Sequence, residues 1–449
     1  MLNSAWKNLE IYTMDKQDTI LMKAGILIED GIIRELGSGN EIEGLAAAKG
    51  IVCQDGKGKI LFPGMINTHT HLYQELLKGR GTDKFLKDWW PKAMAPAGLK
   101  LRDRHVRAGA LLGIAEALQS GVTTIADYMQ IQPVEGLGLA QLQAVKDTGI
   151  RTVYGRGYRD SGKEIGAPDA LFESLDKVIC DVENLKKTFS QDDLIKIWLA
   201  PAAAWGLTLE TLKETAVYSN STDTPIMMHM FETDMDDMIC SQRYQMSAIK
   251  YFESSGLLNT HLLAVHSVAV DDVILNAYKE HNIKVSYNPV SNMYLASGTA
   301  PVSGMLKQGI VVGLGTDGAG SNNDNDMVSA LKIGALVQKA ATQDPLAMTA
   351  YQMMKIATIN GAECLNLDEK VGSIEVGKEA DLFLFNPALS PKTYPCHDPV
   401  ISLVYSGDCK AIEMVMVKGR VLYNRGEYQT MDYEKVISEA GKMADELSC

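Results

Sequence analysis

Basic residues are in short supply in this 449-residue chain, where 43 Lys and Arg stand against 56 Asp and Glu, giving a net charge of −13. Such a balance lacks the positive patch expected of a nucleic-acid-binding protein. No apolar run approaches the roughly 20 residues of a membrane span. The first residues show no basic segment followed by an apolar core, so we expect no signal peptide. The sequence therefore predicts neither nucleic-acid nor membrane partners.

The cysteines of the chain do not indicate a structural role. The seven cysteines are scattered, odd in number and never spaced as CxxC. That pattern argues against a disulfide framework and against a zinc site built from thiolates. We expect reduced thiols and a cytoplasmic protein.

What the middle of the chain does contain is an alternation of strand-like and helix-like segments. A helical stripe over Arg102–Gln119, closed by Gly121, is typical of the helices between the strands. Eight strands alternating with helices predict an α/β fold, a (β/α)8 TIM-like barrel. The predicted strands are Leu61–Thr68, Val122–Asp127, Arg151–Tyr154, Ile195–Leu199, Ile226–Met230, His261–His266, Ile283–Tyr287 and Ile310–Thr316.

The two ends of the chain have a different texture, with short strands broken by hairpin-type turns such as Glu29-Asp30-Gly31. We predict that both termini meet in one small β-sandwich domain. The expected division is 1–59 for the first part of the β domain, 60–371 for the barrel, and 372–449 for the second part with a terminal helix.

Four of the eight histidines, and one aspartate, end strand-like runs. Alternate side chains of a strand share a face, so His69 and His71 point the same way. His229, His266 and Asp317 each end a later strand, where the C-terminal mouth of a barrel keeps its chemistry. A His-x-His pair alone is a weak motif, but chance does not easily explain four matching strand ends.

Imidazoles with one carboxylate suit Zn²⁺ or Fe²⁺. We assign His69, His71, His229 and Asp317 as ligands of one divalent metal, with zinc preferred and iron as the alternative. A bound metal would lower the pKa of a water toward about 7, and Asp317 could also accept that water's proton.

Four further residues complete the predicted site, two as catalytic groups and two as supports of Asp317. Glu232 follows His229 by three residues; if buried, its pKa rises, and it can protonate a ring nitrogen and then a leaving group. His266 could orient the nucleophile or stabilise developing charge. In the glycine-rich turn after Asp317, Ser321 or Asn322 could brace that carboxylate.

With these residues the chain resembles the amidohydrolase superfamily over nearly its whole length. Residues 63–71 resemble that family's first-strand signature, and 372–382 its return into the terminal β domain. The segments 229–232, 291–298 and 315–323 are most similar to the aminohydrolase and chlorohydrolase branch, which contains methylthioadenosine/S-adenosylhomocysteine, guanine and 8-oxoguanine deaminases and triazine hydrolases. The resemblance implies a single metal, which favours a catalytic role for His266 over a role as ligand of a second metal. It also implies a homodimer.

Two departures from that branch concern the substrate. Adenosine-type members carry a histidine after Ala-Pro on the fourth strand, where this chain reads Ala200-Pro201-Ala202, and the seventh strand leads into Asn288 instead of a His-Cys-Pro. Both put an adenosine-like substrate in doubt. Gln74, by resemblance to the 8-oxoguanine and triazine members, could read a polar ring edge, and Trp89 and Trp90 could form a stacking lid or simply pack.

The leading prediction is a metal-dependent hydrolytic deaminase of a small aminated nitrogen heterocycle, whether purine, pterin, pyrimidine or triazine, that releases ammonia. One alternative keeps the same machinery but displaces chloride or an alkylamine from a triazine-like ring. A hydrolase of cyclic amides or imines is disfavoured because Glu232 fits protonation of a ring nitrogen. A non-catalytic binding relative is disfavoured because every ligand and the carboxylate are present.

Overall fold

The computed structural model describes residues 3–448, with seventeen strands and seventeen α-helices in that part of the chain. The strands are β1 (Ser4–Tyr12), β2 (Ile20–Glu29), β3 (Ile32–Ser38), β4 (Cys53–Asp55), β5 (Ile60–Pro63), β6 (Met65–Thr70), β7 (Val122–Met129), β8 (Arg151–Tyr158), β9 (Ile195–Pro201), β10 (Ile226–Met230), β11 (Leu262–His266), β12 (Lys284–Tyr287), β13 (Val312–Leu314), β14 (Leu382–Phe385), β15 (Ile412–Val417), β16 (Arg420–Asn424) and β17 (Glu427–Tyr428).

The helices lie mainly between the strands of the middle region. They are α1 (Gly39–Ala48), α2 (Leu86–Trp89), α3 (Ala95–Gly98), α4 (Asp103–Gln119), α5 (Leu137–Thr148), α6 (Leu175–Thr188), α7 (Leu209–Thr222), α8 (Met235–Tyr244), α9 (Ala248–Ser255), α10 (Asp272–Glu280), α11 (Pro289–Tyr294), α12 (Val302–Lys307), α13 (Met327–Thr342), α14 (Ala350–Ala357), α15 (Ile359–Cys364), α16 (Pro399–Ser406) and α17 (Tyr433–Ser448). Short 3₁₀ turns and one π-helical turn, Trp90–Met94, complete the set.

Strands β6 to β13 form one eight-stranded parallel sheet in which each strand pairs with the next in sequence. The sheet closes on itself because the N–H of Asp317, just after β13, donates to the carbonyl of His69 on β6 at 2.9 Å. The predicted (β/α)8 barrel is confirmed.

The barrel strands are buried on both faces, as the absence of polar alternation in their sequences requires. Every residue of β6, β7 and β8 is buried. Inside the barrel, Ile66, Val153, Met227 and Leu263 come from four different strands and form one apolar cluster. Because side chains fill the interior of the barrel, the candidate reactive residues lie at the ends of the strands.

The chain crosses from one sheet to the other at Gly64. The predicted strand Leu61–Thr68 is wrong as a single element, because β5 pairs with β1 and β14 in the terminal sheet, whereas β6 opens the barrel. A side chain at Gly64 would place its Cβ 2.0 Å from Oγ1 of Thr123, so only glycine fits at the crossing. The apolar run is continuous across both strands, which is why its pattern hides the break.

Both termini contribute to a separate mixed sheet, in the order β17-β16-β15-β14-β5-β1-β2-β3 with β4 on β1. The predicted small β domain from both ends of the chain is therefore present, as one continuously hydrogen-bonded sheet. The division at residues 59 and 371 remains a proposal, and the sheets change at Gly64. Arg151, at the start of β8, ties the two parts together through Asp381 at 2.8 Å and Glu379 at 2.6 Å.

The predicted terminal helix is α17, which packs on α4, where Glu446 pairs with Arg104 at 2.7 Å. Over residues 3–448, helices are too short or too polar to cross a lipid bilayer.

Candidate metal centre

The paired histidines and the aspartate meet where the first and last barrel strands join. His69 lies in β6 and His71 follows it directly; their ring centroids are 4.8 Å apart and nearly perpendicular. Oδ1 of Asp317 lies 3.3 Å from Nε2 of His69 and 3.4 Å from Nε2 of His71. Three donor atoms thus converge on one point.

Two more histidines reach the same point from the opposite side of the barrel. The ring of His229, in β10, lies 5.0 Å from that of His69 and 5.3 Å from that of His71. His266 ends β11 and stacks on His229 at 5.3 Å. Donor atoms lie within 4.8 Å of one another both in the set His69, His71 and Asp317 and in the set His69, His229 and His266. The structure brings all four predicted ligands together, with His266 beside them.

The protonation and the hydrogen bonding of these side chains are those expected of ligands to a divalent metal. Among the residues that the structure describes, neither ring nitrogen of His69 makes a hydrogen bond of acceptable geometry, although both are buried and Nε2 lies 3.3 Å from Oδ1 of Asp317. Burial lowers the pKa of His69 to about 3, and it also lowers the pKa values of His71 and His229. The imidazoles are therefore neutral, which metal binding requires. Imidazoles with one carboxylate match the donor set of Zn²⁺ or Fe²⁺.

Asp317 is held by several hydrogen bonds. Its Oδ2 accepts from Oγ of Ser291 at 2.5 Å and from Oγ of Ser321 at 3.0 Å, and its Oδ1 accepts from the N–H of Gly318 at 2.6 Å. Burial alone would raise its pKa, but the contacts with His69 and His71 outweigh burial, so the pKa lies well below its ordinary value. The carboxylate is ionised and fixed in place.

Of the two residues predicted to brace Asp317, Ser321 makes the hydrogen bond. Nδ2 of Asn322 instead donates to the carbonyl of Thr316 at 2.8 Å, which supports the turn that carries Asp317. Tyr128 has an analogous role for His71, because its carbonyl lies 2.6 Å from Nδ1 of that ring and its own ring lies 4.4 Å from that of His229. With Nδ1 so engaged, Nε2 of His71 faces the cluster.

Glu232 lies in the bend after β10, next to the histidine cluster. Oγ of Ser297 donates to its Oε1 at 3.3 Å, and its Oε2 lies 3.7 Å from Nε2 of His266. Burial raises the pKa of this carboxyl, as predicted. The bend is fixed by Asp236, which accepts from the N–H of Phe231 at 2.6 Å, and Phe231 has φ +53°. Glu232 therefore lies beside the histidine cluster and holds its proton to a higher pH than an exposed glutamate does.

His266 is oriented from the opposite side by two amides. Its Nδ1 lies 2.9 Å from Oδ1 of Asn292 and 3.5 Å from Nδ2 of Asn288. His266 has φ +77° and Ser267 has φ +52°, an unusual backbone for side chains with a Cβ. Asn288 thus belongs to the site, beside a histidine; its contact with substrate remains a prediction.

The three other predicted substrate residues are all buried. Gln74 uses its Oε1 to accept from the N–H of Gly320 at 3.2 Å and its Nε2 to donate to the hydroxyl of Tyr73 at 3.2 Å. Nε1 of Trp89 donates to the carbonyl of Gly320 at 2.9 Å. Trp90 packs against Trp205, with ring centroids 5.8 Å apart. The two tryptophans lie in helical turns, and their contact with substrate is untested.

Sequence reasoning missed four residues around the site: Ser291, Tyr128, Asn292 and Arg159. Ser291 and Asn292 lie inside the segment that carries the resemblance, which was a usable signal. The carbonyl of Tyr128 gives no signal, because backbone groups are the same in every residue. Arg159 follows β8, and nothing in its sequence context shows what surrounds it.

The family model of the amidohydrolase family matches residues 60–422. The chain belongs to that family. This amidohydrolase is 34% identical over 432 residues to a 5-methylthioadenosine/S-adenosylhomocysteine deaminase of Thermodesulfovibrio yellowstonii, covering 96% of this chain and 95% of the relative. It is also 34% identical to a 5'-deoxyadenosine deaminase of Methanothermobacter thermautotrophicus, covering 95% and 96% of the two chains.

Among solved structures, the amidohydrolase is similar to an adenosine deaminase from Xanthomonas campestris with bound zinc. The TM-score is 0.90 at 25% sequence identity, covering 99% of this chain and 98% of the other. Together with the family match, these relatives confirm the predicted recognition and the predicted class of enzyme, a hydrolase that acts on C–N bonds in cyclic amidines.

Proposed function

We propose that His69, His71, His229 and Asp317 bind one divalent metal, and that Glu232, His266 and Asp317 handle the protons of a hydrolytic deamination. The substrate is an aminated nitrogen heterocycle, and the product is the corresponding ring carbonyl with ammonia. Zinc is the proposed ion, supported by the imidazole-rich donor set and by the zinc in the similar Xanthomonas campestris structure.

One observation carries this proposal: a buried carboxylate with a raised pKa, Glu232, lies beside the cluster of metal donors. The four metal ligands alone are compatible with many hydrolytic reactions. The pKa of Glu232 is raised, whereas that of Asp317 is lowered. Glu232 can therefore be the separate proton donor that protonation of a ring nitrogen needs.

The chain's own residues can carry each proton transfer. When bound, the metal supplies a water that ionises near neutral pH. Asp317 accepts a proton as the water oxygen bonds to the amino-bearing carbon, and Glu232 donates a proton to the adjacent ring nitrogen. The proton held by Asp317 then passes to the amino group, the C–N bond breaks and ammonia leaves. The hydroxyl proton that remains on the ring carbon returns to Glu232, which leaves the ring carbonyl and restores both carboxyl groups. His266, held by Asn292, orients the attacking water.

Adenine nucleosides are the first substrates to test. Two relatives at 34% identity over nearly the full chain are named for deamination of such compounds. Against this, the fourth strand carries Ala202 where adenosine-type members have a histidine, so the grip on the ring differs. We therefore propose an aminated heterocycle that is bound without the adenosine-type contact at position 202.

A substrate panel tests the proposal directly. Zinc- or iron-loaded protein is incubated with 5'-deoxyadenosine, methylthioadenosine, guanine, cytosine and aminated or chlorinated triazines, and ammonia, alkylamine and chloride are measured on each. We expect ammonia from at least one purine or pyrimidine. Chloride or alkylamine as the sole product would establish the alternative reaction, and no product from any compound would contradict the proposal. The homodimer and the cytoplasmic location remain predictions.

A further inference from the structure

Two arginines at opposite ends of the same barrel strand have contrasting surroundings. Arg151 opens β8 and Arg159 directly follows it, and each is only 1% exposed. Arg151 pairs with Asp381 and Glu379. Arg159 has no carboxylate partner in the described part of the chain, 3–448, and neither of its terminal nitrogens has a hydrogen-bond partner there, although both are buried.

Aromatic rings cover the faces of the Arg159 guanidinium without satisfying its N–H groups. Its central carbon lies 4.0 Å from the ring centroid of Trp90 and 5.2 Å from that of Trp205. Such stacking stabilises a cation through its flat faces. The donors lie in the plane of the group and point away from the rings, so stacking leaves them unsatisfied.

The backbone of Arg159 is held in place by the neighbouring segment, residues 172 and 173. The carbonyl of Arg159 accepts from the N–H of Glu173 at 2.9 Å, and residue 159 forms a bridge with Phe172. Burial lowers the pKa of Arg159 to about 10, so the group stays charged at neutral pH. A buried charge without a counter-ion destabilises the fold, and a bound anion would compensate it.

Arg159 is on the same side of the barrel as the metal donors. Arg159 directly follows β8, and its stacking partners Trp205 and Trp90 belong to the segments that follow β9 and β6. The metal donors His71, His229 and Asp317 also lie at or just beyond the C-terminal ends of barrel strands. The guanidinium and the metal donors therefore share one end of the barrel.

We propose that Arg159, clamped between Trp90 and Trp205, is the substrate's anion-binding residue and that the substrate carries a carboxylate. This deepens the proposed function and rests on it. Two free terminal nitrogens in one plane match the two oxygens of a carboxylate in a bidentate pair. A neutral carboxamide of the same shape offers one acceptor and no charge, so it is the appropriate comparison.

Matched substrates test the proposal. Adenosine-5'-carboxylate is compared with adenosine-5'-carboxamide, and 4-aminopyrimidine-5-carboxylate with its carboxamide, using metal-loaded protein; adenosine 5'-monophosphate distinguishes phosphate from carboxylate. For wild type we expect kcat/KM, or binding measured by calorimetry, to favour the carboxylate at least about tenfold, since a hydrogen bond to a charged group contributes roughly that much. A preference for phosphate over both carboxylates would overturn the assignment to a carboxylate.

Variants separate a binding role from a structural one. In Arg159→Met the carboxylate preference disappears, and in Arg159→Lys it falls but keeps its direction, because the charge remains without the planar fork. Arg151→Met is the matched control for a buried arginine that is paired. It loses thermal stability because Asp381 and Glu379 are left uncompensated, whereas Arg159→Met is at least as stable as wild type.

The outcomes of this experiment differ from those of the proposed function. Ammonia release with equal use of carboxylate and carboxamide would overturn the role of Arg159 and leave deamination intact. A loss of stability in Arg159→Met as large as that in Arg151→Met would overturn it even without a substrate. Absence of ammonia from every compound, with a carboxylate preference in binding, would overturn the proposed reaction and support Arg159.

Discussion

Oε2 of Glu232 lies 3.7 Å from Nε2 of His266, and the side chains of the two residues are 12% and 1% exposed. The pair joins a carboxyl whose pKa is raised by burial to a ring that stacks on the proposed ligand His229. This contact connects the residue proposed to move protons with the cluster proposed to hold the metal. Each partner can be changed separately, which makes their roles separable.

The first prediction concerns Glu232→Gln. The amide keeps the size of the side chain and its acceptor for Ser297, but it cannot donate a proton to a ring nitrogen. We expect kcat to fall at least about a hundredfold, the usual scale for loss of a general acid, with metal content unchanged. Steady-state ammonia release and elemental analysis measure the two quantities. Glu210→Gln, an exposed carboxylate on α7, is the control; near-normal turnover in Glu232→Gln would remove the proton-transfer assignment.

The second prediction concerns the metal ligands. His69→Ala and Asp317→Ala each remove a donor from the cluster, so we expect metal content and activity to be lost together. Ser321→Ala removes the hydroxyl that donates to Asp317 at 3.0 Å and to the carbonyl of Gly318 at 3.2 Å. It should weaken metal affinity by about 10- to 100-fold without abolishing binding. Competition with a chelator of known affinity measures this. An Asp317→Ala protein that is metal-loaded and fully active would contradict the ligand set.

The strand ends were predictable because barrel geometry links sequence to position: an alternating pair such as His69 and His71 must share a face, and parallel strands end together. The supporting contacts were not. Ser291 reaches Asp317 only through the course of the chain after β12, and the positive φ of His266 occurs without a glycine to indicate it. The two sheets joined at Gly64 share one apolar run, so hydrophobicity could not separate β5 from β6.

Arg159 is a second case in which the local sequence does not predict the surroundings of a side chain. The sequence around it, Tyr158-Arg159-Asp160, contains an acid next to the base and gives no sign of an unpaired charge. In the structure Asp160 instead accepts from Thr208 at 2.7 and 2.8 Å, and Arg159 stacks on Trp90. Whether a buried charge is compensated depends on contacts between distant segments, and local sequence carries no record of them.

A third prediction tests the positioning of His266. Asn292→Ala removes the acceptor 2.9 Å from Nδ1, so the ring can rotate or change tautomer. We expect kcat to fall about 10- to 100-fold while KM and metal content change little, because Asn292 acts through His266 and not on the substrate. Asn184→Ala, an exposed amide on α6, is the control. A loss of metal in Asn292→Ala would show that His266 is a ligand and not a proton-handling group.

The fourth prediction uses a buried acid beneath the site. Asp127, in β7, accepts from the N–H of Leu72 at 2.9 Å and from Nε2 of Gln141, and burial raises its pKa from 3.8 to about 7. The folded state thus binds its proton more tightly than the unfolded state. Its contribution to the free energy of unfolding is largest below about pH 4 and is lost as the pH rises toward 7.

Asp127→Asn removes this pH dependence. The amide oxygen can still accept from Leu72, and its NH₂ can donate to Oε1 of Gln141, which has no partner among residues 3–448. We expect the variant to be more stable than wild type by about 1–3 kcal/mol at pH 8, with a smaller gain at pH 5. Urea unfolding of the metal-free proteins at the two pH values measures the difference, and Asp147→Asn, an exposed acid on α5, should show little change at either. A gain that is equal at both pH values would mean that Asp127 does not titrate between them, and a loss at pH 8 would mean that its ionised form is stabilised by the fold.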